Sequence, residues 1–124
     1  MASKLLIEER EFGDVTVLLL RGQILLDDGD LLFRRKVHEL IDRGRVKLVV
    51  NLSEVDYIDS AGVGMVVGKL KTVRERGGDM KLLNLNVRGQ RIFGITKLVF
   101  VFETFENEDA AVRSFATASP PTPL

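Results

Sequence analysis

The chain of 124 residues contains no cysteine and a single histidine, His38. The absence of cysteine excludes disulfides, thiolate metal ligands and cysteine nucleophiles. One histidine is too few for most zinc sites, and it offers little acid–base chemistry near neutral pH. We therefore expect no bound metal, no cofactor and no catalytic residue in this chain.

Long apolar runs are also lacking. The longest, residues 15–20, is interrupted by Thr16 and is far too short to cross a bilayer. Near the amino terminus only three apolar residues precede the first acidic side chains, which is not the pattern of a signal peptide. The sequence therefore predicts a soluble, cytoplasmic protein without membrane insertion.

No charge of either sign predominates, because 18 basic residues balance 18 acidic ones. This balance argues against direct binding of nucleic acid. The distribution is uneven, since residues 31–100 carry 14 basic and 7 acidic side chains while both ends are acidic. Such a pattern fits solvated surfaces, which is the simpler interpretation, or a surface that steers a partner.

The length predicts one domain, residues 1–115, followed by a disordered proline-containing tail, residues 116–124. Apolar periodicity and turn residues predict the element order β-β-α-β-α-β-α-β-α. The predicted strands are residues 5–12, 15–21, 46–52, 80–85 and 99–102. The predicted helices are residues 28–42, 60–76, 86–94 and 108–115. An initial hairpin followed by alternating helices and strands indicates an α/β fold with a mixed sheet covered by about four helices.

Helix ends and buried faces follow from the same pattern. Asp28 or Asp30 can cap the first helix and Asn107 the last, while Gly44 and Gly77 are suitable stops. The apolar stripe predicted for the first helix is Phe33, Val37, Leu40 and Ile41, and for the second Val63, Val66, Leu70 and Val73.

The most informative segment is residues 57–70, where a hydroxyl stands at the start of a glycine-containing helix. Ser60, Gly64, Gly68 and Lys71 fall on one side, away from the apolar stripe. Glycine inside a helix costs about 1 kcal/mol relative to alanine. Glycines on a solvent-facing side gain nothing within the monomer, so a bare strip that another protein's backbone can approach is a plausible reason for them.

The residues alone leave other interpretations open. In the simplest, Asp59 or Ser60 caps the helix and the glycines pack against a neighbouring element. A phosphate-binding turn is disfavoured, because the spacing G-x-G-x-x-x-G matches neither the dinucleotide fingerprint nor the P-loop. A serine hydrolase is disfavoured, because Ile58 stands where the nucleophile elbow needs glycine and His38 lies on an earlier helix.

Residues 51–64 read N-L-S-E-V-D-Y-I-D-S-A-G-V-G. They resemble the signature of the STAS domain family (sulfate transporter and anti-sigma factor antagonist), which is roughly D-L-S-x-V-x-x-[IM]-D-S-[ST]-G-[LV]-G. The resemblance extends over about residues 5–115 and includes Gly22, Gly77, Gly78 and the stretch 95–102. The predicted order of elements is also that of the family.

This resemblance implies an anti-sigma factor antagonist, not an enzyme. Such antagonists bind an anti-sigma factor that is also a serine kinase, an ATPase of histidine-kinase-like fold, and thereby free the sigma factor. The kinase inactivates the antagonist by phosphorylating the serine that aligns with Ser60, and a metal-dependent serine phosphatase restores it. The partner-binding residues expected here are Asp59, Ser60, Ala61, Gly62, Gly64, Gly68 and Lys71.

Three positions depart from the family pattern. Ala61 stands where a second hydroxyl is frequent, which leaves Ser60 as the only candidate in that turn. Asn51 replaces the usual aspartate at the end of the third strand, and Leu25 stands where aspartate is frequent.

The alternative function within the family is a non-switching interaction subunit of a larger signalling or lipid-transport assembly.

Overall fold

The computed structural model describes residues 5–24, 28–58, 60–84 and 103–117. Its strands are β1 (Leu6–Phe12), β2 (Val15–Ile24), β3 (Lys47–Ile58), β4 (Asp79–Leu83) and β5 (Thr104–Phe105). Its helices are α1 (Asp28–Asp42), α2 (Ser60–Glu75) and α3 (Glu108–Thr117). Within these ranges no helix is both long enough and apolar enough to cross a membrane.

The strands form one mixed sheet in the order β1-β2-β3-β4-β5. β1 and β2 are antiparallel around the two-residue turn Gly13-Asp14, and every later neighbouring pair is parallel. A hairpin followed by parallel strands is the arrangement predicted from the sequence. The α/β fold class with a mixed sheet is therefore confirmed.

Helices cover both faces of the sheet. α1 and α2 pack on one face, and all eight residues of their predicted apolar stripes are buried there. α3 packs on the other face, where Ala111 contacts a smaller cluster on the strands, namely Val15, Val17, Val49 and Leu83. Because both faces are covered, β4 is buried along its whole length.

Strand β3 is longer than predicted, since it continues past Leu52 to Ile58. The segment 53–56, expected to be a polar link, is part of the sheet. The register of β3 against β2 shifts on either side of the pairing of Gly22 with Val55, and each shift places one extra residue on β3. Because of these two bulges Leu52, Val55 and Ile58 are all buried, although they recur at every third position and a regular strand buries every second one.

Strand β2 also continues beyond its predicted end, Arg21, through Gly22 to Ile24. The φ of Gly22 is 109°, in a region that residues with a side chain rarely adopt, and the register shift lies beside it. The glycine accommodates the bulge and does not end the strand. As a result Ile24 pairs with Ile58 at the carboxyl end of both strands.

The ends of the helices agree closely with the prediction. α1 begins at Asp28, and Gly44 and Gly77 follow α1 and α2 with φ of 76° and 83°. Asn107 caps α3 as expected, because its Oδ1 accepts a hydrogen bond from the Ala110 N–H at 2.9 Å. α3 runs to Thr117, so the first two residues of the predicted tail are helical.

Some predicted elements fall outside the described residues. They are the short helix at 86–94, the strand at 99–102 and most of the tail, residues 118–124. The predicted strand at 80–85 is observed as Asp79–Leu83, and β5 at Thr104–Phe105 pairs with its carboxyl end.

Lys81 is the one fully buried cation among the described residues, at 1% exposure. Its Nζ donates to Ser114 Oγ at 2.6 Å, lies 3.4 Å from Glu103 Oε1 and is 4.2 Å from the centroid of the Phe115 ring. The ammonium is thus paired, hydrogen-bonded and stacked on an aromatic face, which offsets the loss of its hydration. These contacts join β4 to α3.

Candidate functional site at the start of helix α2

The site lies where the central strand β3 meets helix α2. β3 ends at Ile58 and α2 begins at Ser60, as predicted, while Asp59 lies outside the described residues. Because β2 and β3 are parallel, their carboxyl ends meet at the same edge of the sheet, with Ile24 paired to Ile58. Ser60 therefore stands at this edge, at the positive end of the α2 dipole, where the first backbone N–H groups have no partner within the helix.

Gly62 fixes the position of the first turn of α2. It is buried, and a Cβ built on it would lie 2.5 Å from the backbone oxygen of Ile24 and 2.9 Å from Cγ1 of Ile58. Only glycine allows the helix to approach the ends of β2 and β3 this closely. Among the predicted partner-binding residues whose burial the structure describes, Gly62 is therefore the one that packs inside the chain, as in the simplest interpretation of the glycines.

Gly64 and Gly68 are placed differently. Both are exposed, and outside their own helix no heavy atom lies within 4 Å of a Cβ built on either. Ala61 and Lys71 are also exposed and lie on the same side of α2. We call Ala61, Gly64, Gly68 and Lys71 the glycine strip. It forms a bare helical surface that starts one residue after Ser60 and has Lys71 at its far end.

Helix α1 adds a neighbour that the sequence analysis did not identify. Lys69 of α2 brings its Nζ to 2.9 Å from Nε2 of His38 on α1. Beside this contact a surface groove of about 610 Å³ is lined by four cations, two carboxylates, Leu31 and His38. The cations are Arg34, Arg35, Arg43 and Lys69. The helical periodicity of the sequence indicates that these residues lie on helix surfaces. It does not show that α1 lies next to α2, which follows from the order of the strands in the sheet.

Asn51, one of the departures from the family pattern, lies behind the site. Its Oδ1 accepts hydrogen bonds from the Ser53 N–H at 3.0 Å and from Asn84 Nδ2 at 3.2 Å. The first bond stabilises β3 at its bulge, and the second joins β3 to the residue that follows β4. An aspartate would offer the same acceptor, so this departure preserves the connection. Leu25, the other departure in a loop, lies outside the described residues.

The geometry separates His38 from Ser60. Lys69, which contacts His38, is nine residues beyond Ser60 on the same helix. At the usual rise per residue this is about 13 Å along the axis, too far for a serine–histidine pair. Among the described residues no cluster of three or more histidine, aspartate or glutamate side chains could hold a metal ion. What the site offers is a serine at a helix start beside an open surface.

A model of the STAS domain family matches residues 7–111. The anti-sigma-B factor antagonist of Bacillus subtilis (strain 168) is 36% identical over 80 residues, which are 64% of this chain and 72% of that protein. The anti-sigma-B factor antagonist of Listeria monocytogenes is 34% identical over 101 residues, which are 78% of this chain and 83% of that protein. The family match includes Ser60 and the whole glycine strip.

Solved structures show the same fold. The anti-sigma factor antagonist SpoIIAA in its unphosphorylated form superimposes with a TM-score of 0.69 at 18% identity, over 93% of this chain and 99% of that one. The phosphorylated form of the Bacillus cell fate determinant SpoIIAA gives 0.66 at 20% identity, over 90% and 98%. This fold thus occurs in a protein solved both with and without its phosphate.

Proposed function

The chain belongs to the STAS domain family, and we propose that it is an anti-sigma factor antagonist whose binding is switched off by phosphorylation of Ser60. The observation that carries the proposal is the open glycine strip directly below Ser60. A partner's backbone can approach α2 there without meeting a side chain at Gly64 or Gly68. The names of the relatives give the class of partner, an anti-sigma factor.

The proposed contact surface is the residue pair Asp59–Ser60 together with the glycine strip. Gly62 would not contact the partner. Its lack of a side chain lets the start of α2 pack against Ile24. Lys71 lies at the far end of the strip and the groove cations lie on its α1 side, so the surroundings suit a partner that carries carboxylates. Arg34, Arg35 and Lys69 extend this basic margin.

A phosphate on Ser60 is compatible with the fold. It would lie at the positive dipole end of α2, and no acidic residue stands in the first turn to repel it. It adds a charge of about −1.5 to −2 beside the strip. With Asp59 next to it in sequence, this charge would repel a partner rich in carboxylates and block the surface while leaving the domain folded. SpoIIAA in its phosphorylated form supports this expectation at the level of the fold.

We propose further that the modifying enzyme is the anti-sigma factor itself, a serine kinase built as an ATPase of histidine-kinase-like fold, and that a serine phosphatase reverses the reaction. The chain would act in the cytoplasm as their substrate and ligand, without catalysis of its own.

The test is incubation of the purified chain with its anti-sigma factor and ATP, followed by intact-mass measurement and peptide mapping. One phosphate is expected, on Ser60, and none on the Ser60→Ala variant. Phosphate on Ser53 or Thr72 instead would contradict the proposal.

The glycine strip is tested separately by adding bulk. Gly64→Leu places a large side chain on the strip, whereas Ala116→Leu places the same side chain on an exposed position of α3, on the other face of the sheet. Calorimetric titration with the anti-sigma factor should show binding nearly abolished for Gly64→Leu and unchanged for Ala116→Leu. Equal affinities for the two variants would show that the strip is not the docking surface and that any partner binds another face of the domain.

A further inference from the structure

Strand β1 presents an open sheet edge. In the part of the chain that the structure describes, β1 pairs only with β2, so half of its backbone N–H and C=O groups point away from the sheet. Phe12 and Val15 flank the two-residue turn and form the first hydrogen-bonded pair. By alternation, the backbone groups of Ile7, Glu9 and Glu11 are directed outward. An edge of this kind is a template for pairing with another strand.

The side chains of β1 are complementary to a reversed copy of the same strand. If two copies pair antiparallel about Glu9, residue 6 lies opposite residue 12 and residue 8 opposite residue 10. Leu6 and Phe12 are exposed to 61% and 40%, and each would face the other across the new ladder. Glu8 would face Arg10 of the second copy. Cross-strand apolar and opposite-charge pairs each contribute about 0.2–1 kcal/mol.

The backbone geometry selects the same register. Pairing about Glu9 places Ile7 opposite Glu11 and Glu9 opposite itself. These are the three residues whose N–H and C=O groups point outward, so every outward group meets one of the second copy. In a register displaced by one residue, the outward backbone groups of one copy would meet backbone groups of the second copy that are already bonded to β2. Glu8 would then also lie opposite a residue whose side chain is on the other face of the sheet.

The remaining carboxylates of β1 are neutralised by α1. Glu9 accepts hydrogen bonds from Lys36 at 3.1 Å and Arg43 at 3.4 Å, and Glu11 accepts one from Arg43 at 3.1 Å. Burial opposes ionisation of Glu9, but these cations outweigh it and lower its pKa. The two Glu9 side chains that would meet at the centre therefore each bring two cations with them, which reduces their mutual repulsion.

We propose that β1 pairs with β1 of a second copy of this chain, antiparallel and centred on Glu9, so that two sheets join into one. The pairing is two-fold symmetric, and both copies contribute the same surface. It uses neither Ser60 nor the glycine strip, so the inference is independent of the proposed function. Each dimer would carry two separate sites at the starts of its two α2 helices.

A charge-swap series tests the pairing of Glu8 with Arg10. The native chain should show the mass of a dimer, twice 13.9 kDa, by light scattering at high concentration and dissociate on dilution. Glu8→Arg and Arg10→Glu should each raise the dimer dissociation constant about tenfold or more, because each puts like charges opposite one another twice. The double variant restores both opposite-charge pairs and should return the dissociation constant to near the native value. A monomeric mass at every concentration, or equal masses throughout the series, overturns the proposal.

Cysteine trapping tests the register directly, since the chain has no native cysteine. Leu6 and Phe12 would form a non-hydrogen-bonded pair with Cα atoms about 4.5 Å apart, within the range for a disulfide. A mixture of the Leu6→Cys and Phe12→Cys variants should therefore form a disulfide-linked dimer under mild oxidation. Neither variant alone should do so, because identical positions lie about 20 Å apart. A mixture of Leu6→Cys with Leu31→Cys, exposed on α1, reports random collision, and equal yields from the two mixtures would refute this register.

Discussion

Replacing Gly62 with alanine places a methyl group where the structure has no room for it. The new Cβ would lie 2.5 Å from the backbone oxygen of Ile24, a separation that real Cβ atoms do not show. The first turn of α2 and the end of β2 would have to separate by about 1 Å to restore van der Waals contact. Overpacking of this kind costs about 1–3 kcal/mol, while the better helix propensity of alanine returns at most about 1 kcal/mol.

The same substitution at Gly64 should act in the opposite direction. No atom outside the helix lies within 4 Å of its Cβ position, so only the propensity gain of up to about 1 kcal/mol remains. Because both alanines gain helix propensity, Gly62→Ala should be less stable than Gly64→Ala by the overpacking cost alone, about 1–3 kcal/mol. For a chain of this length each kcal/mol shifts the melting temperature by about 4 °C, so the two variants should differ by about 4–12 °C.

Thermal unfolding followed by far-UV circular dichroism measures this difference, and Gly68→Ala serves as a second open-space variant that should follow Gly64→Ala. The Gly64→Ala variant should combine a higher or unchanged melting temperature with weaker association with the anti-sigma factor. Equal melting temperatures for Gly62→Ala and Gly64→Ala would refute the seating of α2 against Ile24. A loss of stability at Gly64 would show that the strip is packed inside the chain, and the docking argument would fail with it.

Three further predictions concern the switch, the buried cation and the hairpin. Ser60→Asp should strongly weaken association with the anti-sigma factor while changing the free energy of unfolding by no more than about 1 kcal/mol, since acids are accepted at helix starts; an unfolded variant would contradict this. In urea denaturation Lys81→Met should stay within about 1 kcal/mol of the native stability, whereas Lys81→Glu should lose several kcal/mol by burying an unpaired carboxylate; equal effects would refute the account of its contacts. The hydrogen bond from Lys47 holds the pKa of Asp14 below its ordinary 3.8. Its contribution is therefore present above about pH 4 and is lost as the pH falls further, so Asp14→Asn should flatten the acid limb of the stability profile, and an unchanged limb would count against it.

The helices could be predicted from the sequence because their signals are local. The stripes of α1 and α2 recur at helical spacing, and capping or glycine residues mark their ends within one or two positions. The bulged half of β3 could not be predicted in this way. Leu52, Val55 and Ile58 recur every three residues, and that spacing matches a strand only after the two bulges against β2 are known.

The start of α2 at Ser60 was predicted from the sequence, whereas the contacts around it depend on tertiary structure. Helical periodicity puts Gly64, but not Gly62, on the side of α2 away from the apolar stripe. It does not reveal that Gly62 meets the backbone oxygen of Ile24, because that contact arises where β2 ends, almost forty residues earlier in the chain. The burial of Lys81 is of the same kind, since Ser114 reaches it through the packing of α3, and Glu103 through the backbone hydrogen bond that its oxygen accepts from Leu82 of β4.

The close packing of Gly62 against Ile24 also affects how quickly a partner can bind. The backbone oxygen of Ile24 lies against the first turn of α2 and belongs to a residue paired with Ile58 of β3, so the helix start has no room to move toward the ends of these strands. A surface held in this way has its bound shape before any encounter, and association gives up little conformational entropy. In the proposed function, a phosphate on Ser60 would therefore act at the encounter itself, through charge and bulk, and would slow association without waiting for a change of shape.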